Sequence, residues 1–227
     1  MLVPLTRKTF EQLIPIVATG DQYKYYWGRL SDVLKRALIS AVSVLIIVLI
    51  NVLVHDDGDP LFLLVGITAG LYWLWGPVFL ASFRNVEFRR YPYSGLWQGK
   101  VLDVYLTEEV VAQEEKVNKK GELIIVENLE QRINLELGDK TGFTVEMQAP
   151  LSRYHQGIYK NQVAVMLVMS YQQDLEKIAK YSDVYLPIVN LWVSDYPYLR
   201  RDMFVEVINQ VRSSRRKNKQ RQPKHLI

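Results

Sequence analysis

The residues able to do chemistry in this chain fall into three short stretches. The first, HDDGDP (His55–Pro60), sets three carboxylates beside an imidazole, the donor types of a cation site. A helix–loop–helix calcium site needs a twelve-residue loop, alternating ligands and a distal glutamate. This stretch has six residues and lacks that spacing. Gly58 and Pro60 are turn formers, and Asp59 can cap a helix that begins at Pro60, so the stretch reads as a turn. The second, GDKTG (Gly138–Gly142), has the glycine and lysine of a phosphate loop but not the earlier glycine that wraps backbone N–H groups round phosphate. Its flanks alternate with period two, which makes it a hairpin turn. The third, SRYHQG (Ser152–Gly157), puts Ser152 three residues before His155 without the strand–turn–helix setting of a nucleophile elbow. Arg153, Tyr154 and His155 read instead as the polar end of a loop, available to a partner. The chain has no cysteine and only three histidines, His55, His155 and His225, at no metal-ligand spacing. No catalytic, metal or cofactor-binding residue is expected, no small-molecule substrate is evident, and the protein reads as a non-enzyme.

The elements around these stretches are more informative. Ala37–Val54 is an uncharged run of 18 residues, and Leu61–Phe83 one of 23. A bilayer core of ~30 Å takes roughly 20 apolar residues in a helix, so each is expected to span a membrane. The first run begins too far from residue 1, and is followed too closely by the second, to be a secretory signal. Lys and Arg flank the pair on its outer sides (Arg7, Lys8, Lys24, Arg29, Lys35 and Arg36 before; Arg84, Arg89, Arg90 and Lys100 after) and are absent from HDDGDP. That asymmetry places both termini on the cytoplasmic or stromal side. Gly66 and Gly70 form a G-x-x-x-G in the second run, and Ala37, Ser40 and Ala41 line the first with small residues that let helix backbones approach. Two uses are open for these faces: packing within the hairpin, or receiving a partner's helix. A kink is expected at Gly76-Pro77.

Beyond the second run the apolar period changes from helical to two. Strands are expected at Gly99–Leu106, Glu122–Leu129, the two arms around GDKTG (Arg132–Leu151), and Gln162–Ser170. Asp174–Lys180 looks like a short helix, and Val184–Val193 like an extended edge segment interrupted at Pro187. Five strands in so short a stretch leave no room for crossover helices. The expected fold class is therefore an α+β membrane protein: a transmembrane helical hairpin, then a small antiparallel β-barrel of OB or SH3-like kind, then a C-terminal amphipathic helix. Gln98–Ser170 carries 8 Lys/Arg against 11 Asp/Glu, the wrong sign for a surface that tracks a phosphate backbone, so nucleic acid is an unlikely partner.

The ends complete the division. Phe10, Leu13, Ile14 and Val17 recur at helical spacing and read either as a membrane-surface helix or as one packed on the soluble domain. Met203, Phe204, Val207, Ile208 and Val211 share a face near the other end. The net charge of +4 is local: Arg212–His225 holds seven Lys/Arg and no acid, leaving 21 Lys/Arg against 24 Asp/Glu elsewhere. Arg212, Arg215, Arg216, Lys217, Lys219 and Arg221 are candidates for lipid head-group binding, at ~1 kcal/mol for each basic residue close to an anionic surface. A solvated, unstructured tail is the plainer alternative. The expected domains are an interfacial segment at 1–36, the hairpin at 37–83, a cytoplasmic barrel with its helix at 84–211, and a disordered basic tail at 212–227.

The opening LVPLTRKTFEQLIPIVATGDQYKYYWG and the later LWVSDYPYLRRDMF resemble a family of small membrane proteins of cyanobacteria and chloroplast-bearing relatives. Members are often loosely labelled phosphate-transporter permeases. The resemblance implies a thylakoid or plasma-membrane location and a link to photosynthetic membranes, and it carries over no catalytic residues. Two spans rather than five or six, and no cytoplasmic coupling loop, speak against the permease label. The expected function is a membrane-anchored, non-enzymatic scaffold or assembly protein whose partners are the lipid bilayer and a protein of a membrane complex. An accessory transporter subunit and a membrane-bound nucleic-acid binder are the alternatives.

Overall fold

The structure is a computed structural model and describes all residues except 55–59, 118–122 and 222–227. It is α+β and falls into two compact units, one of Met1–Phe10 with Tyr91–Pro197 and the other of Glu11–Arg90 with Tyr198–Ile227.

The first unit is an antiparallel sheet. Its strands are β1 (Leu2–Pro4), β2 (Tyr93–Val117), β3 (Leu123–Gly138), β4 (Thr144–Pro150), β5 (Val163–Ser170), β6 (Lys180–Leu186) and β7 (Leu191–Val193). The neighbour order is β4-β3-β2-β5-β6-β7. One edge of β2 pairs with β5 over Tyr93–Lys100, and β3 joins β2 from Lys100 onward. Over Gly95–Trp97, before β3 begins, β1 pairs with β2 as well. Alternate residues of β3, Ile133, Leu135 and Leu137, face a core shared with Trp97, Met166 and Leu186. Tyr181 in β6 donates its hydroxyl to the Glu146 carbonyl in β4, 3.0 Å away, so the two sides of the neighbour order approach one another. Gly99 is required where it stands: a Cβ there would meet the Trp97 ring at 2.2 Å and the Gly138 carbonyl at 2.5 Å.

Three strand expectations change. The hairpin of β2 and β3 is far longer than expected, with β3 running unbroken through Glu130–Gln131 to Gly138. No helix forms over Asp174–Lys180. Asp174 Oδ1 instead accepts from the Glu176 N–H, the Ser170 hydroxyl donates to the Lys177 carbonyl, and β6 begins at Lys180. Pro187 lies in the turn between β6 and β7, with Asn190 at φ 49°, so the expected extended segment is a short hairpin.

The helices are α1 (Arg7–Leu13), α2 (Gly20–Trp27), α3 (Leu30–Val54), α4 (Pro60–Gly70), α5 (Tyr72–Arg89) and α6 (Arg201–Arg221). The α3 helix is long and apolar enough to cross a membrane, and only 6 % of its most apolar window is buried. The expected second span is two helices, α4 and α5, bent by 74°. The bend sits at Leu71 (φ −89°, ψ 5°) rather than at Gly76-Pro77. Pro77 is the sixth residue of α5 and its missing N–H removes one helical bond, to the Trp73 carbonyl, which α5 tolerates.

The N-terminal face takes the second of its two expected readings, and the C-terminal end differs from expectation. Phe10, Leu13 and Ile14 are fully buried within the protein and only Val17 is exposed, so the N-terminal apolar face packs on protein rather than lying on a membrane. The C-terminal helix does not stop at 211: α6 continues to Arg221, so most of the expected disordered tail is helical. It groups with the helical unit and not with the sheet.

Candidate interaction surfaces

In the helical unit, the small residues meet. Gly66 and Gly70 of α4 face α3: a Cβ on Gly70 would stand 3.3 Å from Val44, and one on Gly66 3.9 Å from Ile47. The Ser40 hydroxyl accepts the Trp73 N–H at 3.1 Å. Ala37, Ser40, Ala41, Val44, Gly70 and Trp73 line an open groove of about 570 Å³ along this seam. All six of these lining residues are small or apolar, and none carries a charge.

A polar collar holds α5 to its neighbours. Thr19 and Gln22 form a capping box at the start of α2. Gln22 and Asn85, both buried, exchange two side-chain hydrogen bonds of 2.8 and 2.9 Å, and Gln22 also donates to the Tyr198 carbonyl. The Phe88 and Tyr198 rings stack at 3.8 Å, and the Arg84 guanidinium donates to the Tyr198 hydroxyl. Arg89 pairs with Glu11 at 3.0 Å and donates to the Ile14 carbonyl. These bonds satisfy polar groups that would otherwise be costly to bury. Arg36 donates to the Tyr26 and Trp27 carbonyls and lies over the Trp27 ring.

The opposite face of α5 is uncovered. Trp75, Phe79 and Phe83 follow one another on it at helical spacing, in ring contact with Tyr72 at one end. Phe79 is 58 % and Phe83 64 % exposed.

The sheet unit carries a second uncovered surface. Beyond the Thr107–Arg132 pair, β2 and β3 pair only with each other, as far as Val117 and Leu123. This arm is roughly 30 Å long at ~3.3 Å per residue. Its strands hold six glutamates and one lysine. Alternation on β3 continues the core row outward, so Leu129, Ile125 and Leu123, with Gln131 and Glu127 between them, lie on the face of Ile133 and Leu135 but stand in solvent. At the base of the arm Glu109 faces Glu130, and like charges in register repel. Arg132 relieves this: it binds Glu109 at 3.1 Å and Asp195 at 2.8 Å.

The polar loops are structural where they are best ordered by hydrogen bonds. Over Arg153–Gly157 the chain makes one 3-10 turn. His155 is buried there, its Nδ1 accepting the Ser152 N–H at 3.1 Å, and burial pushes its pKa below the ordinary 6.5. Arg153 and Tyr154 point outward and His155 does not. GDKTG closes the β3–β4 hairpin, with Gly142 at φ 90°. Asp139, its side chain only 6 % exposed, accepts from Trp97 Nε1, from Thr141 and from the amino group of Met1. Burial works to raise its pKa, but the bonds from Thr141 and the amino group outweigh it and hold the carboxyl at about 2.

HDDGD (residues 55–59) lies outside the described residues. Of the basic candidates, Arg212 is exposed on α6, and Arg215, Arg216, Lys217, Lys219 and Arg221 follow along the same helix. Among the described residues no cluster of His, Asp and Glu could hold a metal ion. Sequence reasoning missed the aromatic face of α5 and the arm. The 72, 75, 79, 83 spacing could have disclosed the first, and the alternation running on through EEVVAQEEK the second.

No curated protein and no solved structure matches the chain. One family does, over residues 3–218, which take in β2 to β7 and α1 to α5 whole, with most of β1 and of α6. The chain belongs to that family, the family of unknown function DUF8619.

Proposed function

We propose that this protein is a membrane-anchored, non-enzymatic interaction protein. In this reading α3, with α4 and α5, anchors the chain in a bilayer, and both termini and the sheet unit lie on the cytoplasmic or stromal side. The Lys/Arg asymmetry supports that orientation. The sheet unit is read as an OB-like barrel, supported by β2 pairing with both β3 and β5 and by the approach of β6 to β4. Such a fold does not name a function. The resemblance to cyanobacterial and plastid membrane proteins points to a plasma or thylakoid membrane.

The observation that carries the docking role is the arm. A two-stranded ribbon alone is marginal in water, and open strand edges invite pairing. Here the ribbon exposes an apolar row and two edges, framed by glutamates. A partner segment bearing apolar side chains and Lys or Arg would cover the row and meet the acids. The test is affinity purification in mild detergent, comparing the full chain with a variant in which an Asn-Gly turn joins Thr107 directly to Arg132. A stoichiometric partner recovered with the first and lost with the second supports the reading. A partner retained by the armless variant, or a monodisperse chain with no partner, overturns it.

The groove along Ala37, Ser40, Ala41 and Gly70 favours a second reading, an accessory subunit that receives a transporter helix. Transporter subunits in the same purification, lost on Ala41→Leu and not on removing the arm, would select it. The acidity of the arm counts against the nucleic-acid alternative.

A further inference from the structure

We propose that α5 is an in-plane membrane helix whose aromatic face is seated at the boundary between lipid head groups and acyl chains, and is not the second half of a membrane span. The inference rests on the membrane reading above in one respect, that α3 spans the bilayer; it is independent of the side on which the two termini lie, and names the partner of this face as the bilayer interface itself.

Length argues first. The eleven residues of α4 rise roughly 16 Å, and the eighteen of α5, tilted 74° from it, add only about 7 Å along the same axis. Their sum falls short of a ~30 Å core. The apolar run of α5 also ends at Phe83, after which Arg84, Asn85, Glu87, Arg89 and Arg90 follow within seven residues.

The bend is also built, not incidental. Breaking a helix inside lipid orphans backbone groups, each costly where water is absent. Two side chains answer that here: Trp75 Nε1 donates to the Thr68 carbonyl at 2.8 Å, closing the end of α4, and Ser40 of α3 accepts the Trp73 N–H that opens α5. The bend is thus fixed by bonds from both sides.

The two faces of α5 then separate cleanly. Gly76, Pro77, Ala81, Asn85 and Phe88 are buried. Trp75, Phe79 and Phe83 stand out in a row, with exposed Val86 one turn further on. The row is continuous through Leu71 with the exposed apolar surface of α4. Tryptophan, like Trp75, concentrates at the head-group boundary of membranes, and an in-plane helix buries an apolar face of Trp, Phe and Leu ~5–10 Å into it.

The chain has no cysteine, so single sites can be labelled without a background. Phe79→Cys, Phe83→Cys and, in α3, Ile46→Cys would each carry a nitroxide in full-length protein reconstituted into phosphatidylcholine vesicles. Depth is read from the relative accessibility to oxygen and to a water-soluble nickel chelate. The expected result is Ile46 near the bilayer centre, with Phe79 and Phe83 shallow and separated in depth by well under the ~6 Å that four residues span along the helix, because that axis lies close to the membrane plane. A depth difference near 6 Å, or Phe79 at the centre, makes α5 a crossing helix and overturns the inference. Phe79 and Phe83 fully open to the nickel chelate, or shielded from both reagents by a protein contact, also overturn it while Ile46 stays deep. If Ile46 itself is open to the chelate, the membrane reading fails and takes the inference with it.

Discussion

The two units use apolar residues in opposite ways. In the sheet unit, seven of the eight residues of β5 are buried, and a core closes around Trp97, Leu135 and Met166. In the helical unit, α3 carries an equally apolar sequence and shows most of it to the outside. Water drives the first arrangement, since hiding apolar area is worth about 25 cal/mol per Å². It forbids the second unless another apolar phase takes the place of water. On the membrane reading proposed above, lipid solvates α3 while water surrounds the sheet unit, and the comparison teaches that the two units should then answer opposite substitutions.

The largest difference should come from truncation. Leu135→Ala removes a fully buried side chain and is expected to cost about 2–5 kcal/mol in denaturant unfolding followed by circular dichroism of the sheet. Leu49→Ala, on the exposed face of α3, is expected to change that transition by less than ~0.5 kcal/mol. Equal losses would mean that α3 packs against protein. The converse substitution sharpens the contrast: Leu49→Arg, at a cost of about 2.5–3.5 kcal/mol for a charge near mid-membrane, should shift the protein out of the membrane fraction on flotation.

A smaller effect is expected at the base of the arm. Arg132 is the bridge between Glu109 and Asp195, both about half exposed, so solvent screens the pairs and Arg132→Ala should cost about 1–2 kcal/mol. Some of that loss is the return of Glu109–Glu130 repulsion, so adding Glu109→Gln should recover part of it. No recovery would mean that Arg132 acts by packing alone. Asp139 gives a pH signature in the same unit. Its folded pKa of about 2 lies below the 3.8 of an unperturbed aspartate. It therefore contributes stability that is full above about pH 4 and lost as pH falls toward 2. Asp139→Asn should flatten the unfolding midpoint over that window, and an unchanged slope would place the acid sensitivity elsewhere.

The parts of this fold legible in the sequence were those set by local pattern: the apolar run of α3, the GDKTG hairpin, the strand at Gln162–Ser170. What was hidden depended on distant partners. The three residues of β1 have no pattern of their own and are strands only because β2 lies beside them, over ninety positions away. The bend at Leu71 is held by Ser40 on another helix and by Trp75, whereas Pro77, the obvious breaker, sits inside α5 with the loss of one helical bond. Asp174–Lys180 has helical composition, but a few side-chain bonds hold it in turns, since propensity over seven residues is weak. The candidate surfaces were less legible than the fold because the same residue types serve core and interface. His155 looked available and is buried, while the row on β3 looked like ordinary strand and is exposed.

That row offers the finest test of the comparison, because it holds both behaviours on one face of one strand. Ile133 is 2 % exposed and Leu129, two pleats away, 58 %. Ile133→Ser should cost several kcal/mol, through the lost transfer energy, the cavity and a buried hydroxyl. Leu129→Ser and Ile125→Ser should each move unfolding by less than ~0.5 kcal/mol, in either direction. The two arm variants should nevertheless reduce partner recovery, since they remove the apolar row that the proposed partner covers. Stability and binding would then separate along a single strand. If instead Leu129→Ser destabilises the chain as Ile133→Ser does, the arm's outer row is covered by this protein itself, and the boundary between core and docking surface must be moved outward.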